Sequence, residues 1–423
     1  MGAEKYLIRV APEKREEISK ALLALGVSPG KEMFGYIPVF LPLGDNPVLG
    51  KIREIPGVIE VTVDRKMTIL QEVVSQALPL RGPIPINRKL DKFIYYARNP
   101  LLIPEALAYS SQEAGERFPT SESRKMVGAD VAESYGYQGK GVKVAVLDTG
   151  VDYGCPQSPR PKGKSSVDGQ PLAYDEVGHG VHCLTTIAGN SIPTPWGQIK
   201  GVAPEVEVEV FKVLGYGVGI GSSSSVLRGM MDAFEWGADI ISMSLGSPYT
   251  EDPPEVVPEC RAIEMLTKQG MICVLANGND GPDPHTVGVP ANSPYAISVG
   301  AIDRNGNLAS FSSHGPTFQK EIKPDVVAPG VYILSSTTGL IDAMQFMDGP
   351  KLGAISGTSM ACPHLSGLVA LMIQLFREKG VKLTSEVFKE MVSLYGETKT
   401  NERGWGLPTW DMALRYLQRG GQQ

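Results

Sequence analysis

Residues 142–150 read VKVAVLDTG. Valine, alanine and leucine fill a short run, an aspartate ends it, and a Thr-Gly pair turns the chain. The run shows little apolar-polar alternation, so it predicts a strand covered on both faces. Similar runs follow: VEVEVFKVL (206–214), DIISMSL (239–245), MICVLAN (271–277) and YAISVGA (295–301). Stretches with helical spacing lie between them, among them SSVLRGMMDAFEW (224–236) and VPECRAIEMLTKQG (257–270). Alternating strands and helices predict an α/β fold over residues 126–423, a doubly wound, mostly parallel sheet with helices on both faces. Sites in such sheets lie at the carboxyl ends of the strands. Asp148 stands at that end of the first run.

Upstream the pattern differs. EKYLIRV (4–10) predicts a strand, and Pro12 opens a helix with Ile18, Ala21, Leu22 and Leu25 on one face before Gly26. MFGYIPVFLPL predicts one or two strands, Asn46-Pro47 a helix start, Gly57 its stop, and VIEVTVD (58–64) a further strand. This order predicts a small α+β, ferredoxin-like domain over residues 1–70. Residues 71–125 predict a linker with some helix.

A chain of 423 residues has room for two or three domains. Net charge is −6 and pI about 5.6, against the basic face that a nucleic-acid partner demands. Residues 1–125 carry 18 Lys and Arg against 15 Asp and Glu, leaving 22 against 31 for the rest. Opposite signs suit two parts that dock. Cys155, Cys183, Cys260, Cys273 and Cys362 have no CxxC spacing, which predicts buried free thiols rather than disulfides. MGAEKYLIRV holds no signal-peptide core, and no apolar run is read as long enough to span a bilayer. The expectation is a cytoplasmic protein without membrane contact, the alternative a secreted one whose leader is absent from this sequence.

Three further residues sit where chemistry is expected. His179 lies in GHGVHC at a helix start, between Gly178 and Gly180. Ser359 lies in ISGTSMACPH (355–364), at the head of an apolar helix. A serine hydroxyl needs a base, histidine is poised near neutral pH to be one, and a buried carboxylate such as Asp148 fixes its tautomer. Gly178, Gly180 and Gly357 are read as leaving space for a substrate. A helix N-terminus behind Ser359 offers N–H groups to a developing oxyanion, with Asn279 of LANGNDG as a second donor. Pro363 is placed in the first turn, where a missing N–H costs little.

These segments, with GVAPEVEVEVFKVLG, ISMSLGS, TVGVPA and GWGLP, resemble the subtilisin-like serine proteases, whose order of catalytic residues is Asp, His, Ser. The resemblance spans residues 126–423. It implies a serine endopeptidase acting on polypeptides through an acyl-enzyme, with Asp148, His179 and Ser359 as triad and Asn279 as oxyanion donor, and no cofactor for the chemistry. It implies that Gly219, Ile220 and Gly221, and Ser244, Leu245 and Gly246, offer backbone to an extended peptide. Gly288 matches the floor of the S1 pocket and leaves room for a large apolar or aromatic side chain. Asp280 matches its rim, which tolerates a basic one. Residues 1–70 resemble the family's propeptide, an intramolecular inhibitor and folding template whose tail fills the cleft. Self-cleavage is then expected near Leu70, or else before Met126.

Two features depart from the pattern. Gln157 stands where an acid that helps bind structural calcium is usual, and SIPTPWGQIK (191–200) lacks a convincing set of oxygen ligands, so the usual calcium site is not supported. His182, Cys183 and Cys362 invite a zinc site, but small buried residues supporting the triad, with at most some mercurial sensitivity, are the expectation. A binding module without turnover conflicts with the complete set of four residues. A metal hydrolase on His179 and His182 lacks HExxH.

Overall fold

The computed structural model describes residues 3–42, 47–69, 117–217, 219–338, 344–345 and 351–420. The N-terminal unit holds β1 (Ala3–Val10), α1 (Arg15–Ala24), β2 (Tyr36–Pro42), α2 (Pro47–Arg53) and β3 (Val58–Val63). β1 lies between β2 and β3, antiparallel to both. Ile8, Val10, Ile18, Leu22, Val39 and Ile52 form its own core. MFGYIPVFLPL supplies one strand, because Met33 and Tyr36 bridge across Phe34-Gly35, both at positive φ. Among the described residues the sheet therefore has three strands, where a ferredoxin-like domain has four. The chain then leaves it as β4 (Lys66–Ile69), which joins a different sheet.

The large unit is built on β5 (Lys143–Asp148), α3 (His179–Ala188), β6 (Glu207–Lys212), β7 (Ile220–Ser222), α4 (Ser223–Trp236), β8 (Ile240–Met243) and β9 (Leu245–Gly246). It continues through α5 (Pro258–Lys268), β10 (Ile272–Ala276), β11 (Ile297–Ile302), β12 (Val326–Pro329) and α6 (Thr358–Glu378). The seven-stranded sheet runs β12-β11-β10-β8-β5-β6, with the short strand Lys164–Ser165 at its edge, and every pair is parallel. The chain passes from β5 to β6 on one side and then to β8 on the other. The strand order reverses at β5, and Asp148 ends that strand. This is the switch point at which open parallel sheets place their sites.

α6 is apolar nearly all round and packs against α3 and the sheet. By length and composition it is long and apolar enough to cross a membrane, contrary to the expectation that no run is. It is a core helix, 94% buried over its apolar window. The boundary expected at residues 125/126 falls inside ordered packing. Phe118–Pro119 pairs with Ile333 and Leu334, helix Thr120–Met126 follows, and the Ser123 hydroxyl meets His364 Nε2 at 2.6 Å. The large unit thus reaches back at least to residue 117.

β4 lies between β7 and β9, antiparallel to each. Its partners are Ile220 and Gly221 for Thr68 and Met67, and Leu245 and Gly246 for Ile69 and Thr68. The Asp64 carboxylate caps α4, accepting from the Ser224 N–H and hydroxyl at 2.7 Å each. Lys5, Lys31 and Arg65 of the N-terminal unit face Asp168, Glu235 and Asp252 of the large one. Opposite charges thus meet across this contact.

Candidate active site

Asp148 and His179 come together through α3. Asp148 Oδ1 lies 2.7 Å from His179 Nδ1, and both side chains are fully buried. The same oxygen accepts the Thr149 N–H at 2.7 Å. Nδ1 is then the protonated nitrogen, and Nε2 is left with a lone pair and, among the described residues, no hydrogen-bond partner. The start of α3 is held by side chains rather than by the helix itself. Asp175 accepts from the N–H groups of Val177, Gly178 and Val181 at 2.8–2.9 Å. Thr149 Oγ1 accepts the Gly180 N–H at 2.8 Å. The buried Lys212 ammonium donates to the carbonyls of Thr149 and Tyr174 at 2.8 and 2.9 Å, tying the end of β5 to the loop before His179.

Gly178 and Gly180 are needed for packing within the protein, not for access of a substrate. Gly178 sits at φ +99°, and a Cβ there would lie 1.8 Å from the Thr338 carbonyl oxygen. A Cβ on Gly180 would lie 2.6 Å from the Gly150 oxygen. Asp175 escaped the sequence analysis, although an aspartate four residues before His179, where a helix begins, is a capping signal. Asp175→Ala leaves three buried N–H groups without acceptors. We expect it to cost about 3 kcal/mol or more of stability, read as the shift in a denaturant midpoint. An unchanged midpoint would show that the cap is dispensable.

Ser359 is the second residue of α6. Pro363 lies in the second turn, not the first as expected, and its missing N–H frees the Ser359 carbonyl four residues back. That oxygen accepts instead from the Ser244 hydroxyl at 2.8 Å and from Cys183 Sγ at 3.6 Å. Ser359 Oγ in turn donates to the Ser244 carbonyl at 3.0 Å. A helix defect thereby docks the serine onto the strand end at Ser244 and onto α3, whose Cys183 also lies 3.9 Å from His179 Nδ1. Asn279 is fixed to the same helix start. Its Oδ1 accepts the Thr358 N–H and hydroxyl at 2.9 Å each, which turns the amide NH2 the other way.

Gly219, Ile220, Gly221, Leu245 and Gly246 flank β4. Gly288 donates its N–H to the Asn277 carbonyl at 2.9 Å beside the Ser247–Val289 bridge, and Asp280 is exposed. His182 turns away from the serine toward the carbonyls of Ile333 and Gly353, at 2.9 and 3.2 Å. Cys362 faces the Val274 and Met243 carbonyls. The three side chains that invite a zinc site are therefore not brought together. Among the described residues, the one group of three possible metal ligands is Asp148, His179 and Cys183. The five cysteines are free and buried. Gln157 does not suit calcium. It is buried, with Oε1 accepting from the Ser336 hydroxyl and its own carbonyl from the Asn190 N–H. The loop after Asn190 closes as the hairpin Ile192–Thr194/Gly197–Ile199.

Two buried histidines make the fold sensitive to acid. Burial pushes His182 down to about 3 and His364 down to about 4. Both are held neutral by geometry. His364 donates from Nδ1 to the Met360 carbonyl at 2.7 Å and accepts the Ser123 hydroxyl at Nε2. Unfolded, both titrate near 6.5. Between about pH 6.5 and 4 the unfolded chain binds protons that the folded chain refuses, so stability falls as pH falls. We expect a loss of about 3 kcal/mol per histidine by pH 4. Denaturant titrations across that range check it, with a shallower slope for His364→Gln. A slope that His364→Gln leaves unchanged would contradict it.

Residues 139–405 match the family model described as the subtilase family. The chain is 36% identical to serine protease AprX of Bacillus subtilis over 274 residues, 60% of this chain and 61% of that protein. It is 37% identical to an alkaline protease of Alkalihalobacillus alcalophilus over 281 residues, covering 65% of this chain and 66% of the relative. It is 39% identical to subtilisin Savinase of Lederbergia lenta over 250 residues, covering 59% and 82%. The chain thus spans a little under two thirds of the first two relatives.

Proposed function

The chain belongs to the subtilase family, and on that premise we propose that it is a serine endopeptidase made as a self-processing zymogen. One observation supports this most. β4 occupies the groove between β7 and β9 as an added strand would, with the Ile69 N–H donating to the Gly219 carbonyl at 3.2 Å. Leu245 stands opposite Ile69 and Gly246 opposite Thr68, so β4 ends beside the neighbour of Ser244, whose carbonyl holds Ser359 Oγ. Leu70 itself lies outside the described residues, as does the stretch of the alternative cut up to residue 116.

In the proposed reaction Ser359 Oγ leaves the Ser244 carbonyl and gives its proton to His179 Nε2 while attacking the scissile carbonyl carbon. Asp148 holds the imidazolium through Nδ1–H. The carbonyl oxygen takes the electron pair and is met by the Asn279 amide and the N-terminus of α6. The C–N bond then breaks, Nε2 returns the proton to the leaving amine, and water repeats the cycle on the acyl-enzyme. Gly288 beside the groove suits an apolar residue before the cut, and Leu70 is one.

The N-terminal unit is then a propeptide that stays as an inhibitor until released. Labelling with a fluorophosphonate during incubation tests this. Slow labelling of the intact chain and fast labelling after it shortens are expected. Equal labelling throughout would remove the inhibitory role, and no labelling at any time would remove the peptidase.

A further inference from the structure

Glu259 is the second residue of α5 and fully buried, yet neither carboxylate oxygen accepts a hydrogen bond among the described residues. Burial pushes its carboxyl up, opposed in part by the Ser223 hydroxyl at the head of α4, its own backbone N–H and the Arg65 guanidinium. None closes on it. Among the described residues, Ser223 Oγ and Arg65 Nη1 are themselves buried without hydrogen-bond partners. Arg65 belongs to the strand in the groove, since its carbonyl accepts the Ser223 N–H at 2.8 Å next to the Lys66–Ser222 pair. Side chains two apart share a face of a strand, so Arg65 projects on the same side as the fully buried Met67. Its Nη2 meets the Asp252 carboxylate, which is half exposed. Arg65 therefore pairs with one acid of the large unit at the rim, while a second, buried acid on α5 feels its charge without pairing. The other charges nearby are Asp64 on the strand side and Arg261 on α5, which interacts with Glu60.

Resting on the zymogen reading above, we propose that Glu259 and Asp252 form a subsite for a cationic side chain of the substrate, at the place Arg65 holds before processing. Counting from residue 70 as the residue before the cut, Arg65 lies five residues further upstream. The protease accordingly favours Arg or Lys at that place, far from the scissile bond. The propeptide uses the site only in part: Arg65 reaches Asp252 and leaves Glu259 unpaired. A carboxyl buried without a donor weakens the complex that buries it, which suits an inhibitor that must leave. A substrate cation that closes on Glu259 gains a charge-assisted contact that the propeptide forgoes.

The test digests a denatured protein mixture with the full-length chain after it has processed itself, followed by sequencing of the new termini. Arg and Lys are expected to be enriched about tenfold five residues before the residue preceding the cut, with less enrichment at high salt. In the Glu259→Gln, Asp252→Asn double variant the enrichment falls to background. Asp252→Asn alone, at an exposed position where folding is not at risk, lowers it in part. Cuts with no enrichment in the wild type, or enrichment that survives both substitutions, overturn the subsite and leave the peptidase standing. Absence of both cuts and fluorophosphonate labelling overturns the peptidase itself, and the subsite with it.

Discussion

Ser359→Ala is expected to leave the chain at full length and to lower peptide hydrolysis by about a million-fold, the scale on which a subtilisin loses activity without its serine. The Ser359 hydroxyl is the proposed nucleophile. Its Oγ rests on the carbonyl of Ser244, the residue before Leu245, which pairs with Ile69 at the end of β4. Alanine fits without strain, since Ser359 is fully buried and its carbonyl contacts to Ser244 and Cys183 come from the backbone. The variant should therefore fold, retain its N-terminal unit and refuse a fluorophosphonate. Gels and intact mass over time, with a chromogenic peptide assay, check all three. Residual activity above a thousandth of wild type would mean that another group attacks.

Asp148→Asn is expected to lower kcat by about ten-thousand-fold with little change in KM. Asp148 Oδ1 accepts from both Thr149 N–H and His179 Nδ1, so an asparagine oxygen can keep the same two bonds. The negative charge facing the imidazolium is what disappears. That charge matters only when His179 has taken the serine proton, which is why the loss falls on kcat rather than on binding. A fall in kcat of less than a hundred-fold would show that the carboxylate does little beyond holding the ring.

The residues that carry the proposed chemistry were legible because each is announced by its local frame. Asp148 closes an apolar strand, His179 opens a helix after glycine, and Ser359 opens an apolar helix after glycine. What surrounds them was not legible, because it depends on partners distant in sequence. Gly178 reads as room for a substrate until the Thr338 carbonyl, 160 positions on, is seen to fill that room. Pro363 reads as harmless until the carbonyl it frees is found on Ser244 and Cys183. Glu259 carries no motif. Its interest lies in burial without a partner, which only packing reveals. In the N-terminal unit, strand content was legible from apolar residues. The number of paired strands was not, because Phe34 and Gly35 turn the chain between Met33 and Tyr36 and leave one strand where two were possible. The opposed charges of the two parts did foreshadow their contact, in Lys5 on Asp168 and Arg65 on Asp252.

The account stands or falls on where the chain is first cut. Intact mass and N-terminal sequencing of the wild-type protein during incubation measure this directly. The register of β4 against β9 predicts a new N-terminus at Gln71, appearing before any other and absent from Ser359→Ala. A first cut elsewhere, or one that also appears in Ser359→Ala, would contradict the placement of β4 as the substrate strand of its own active site.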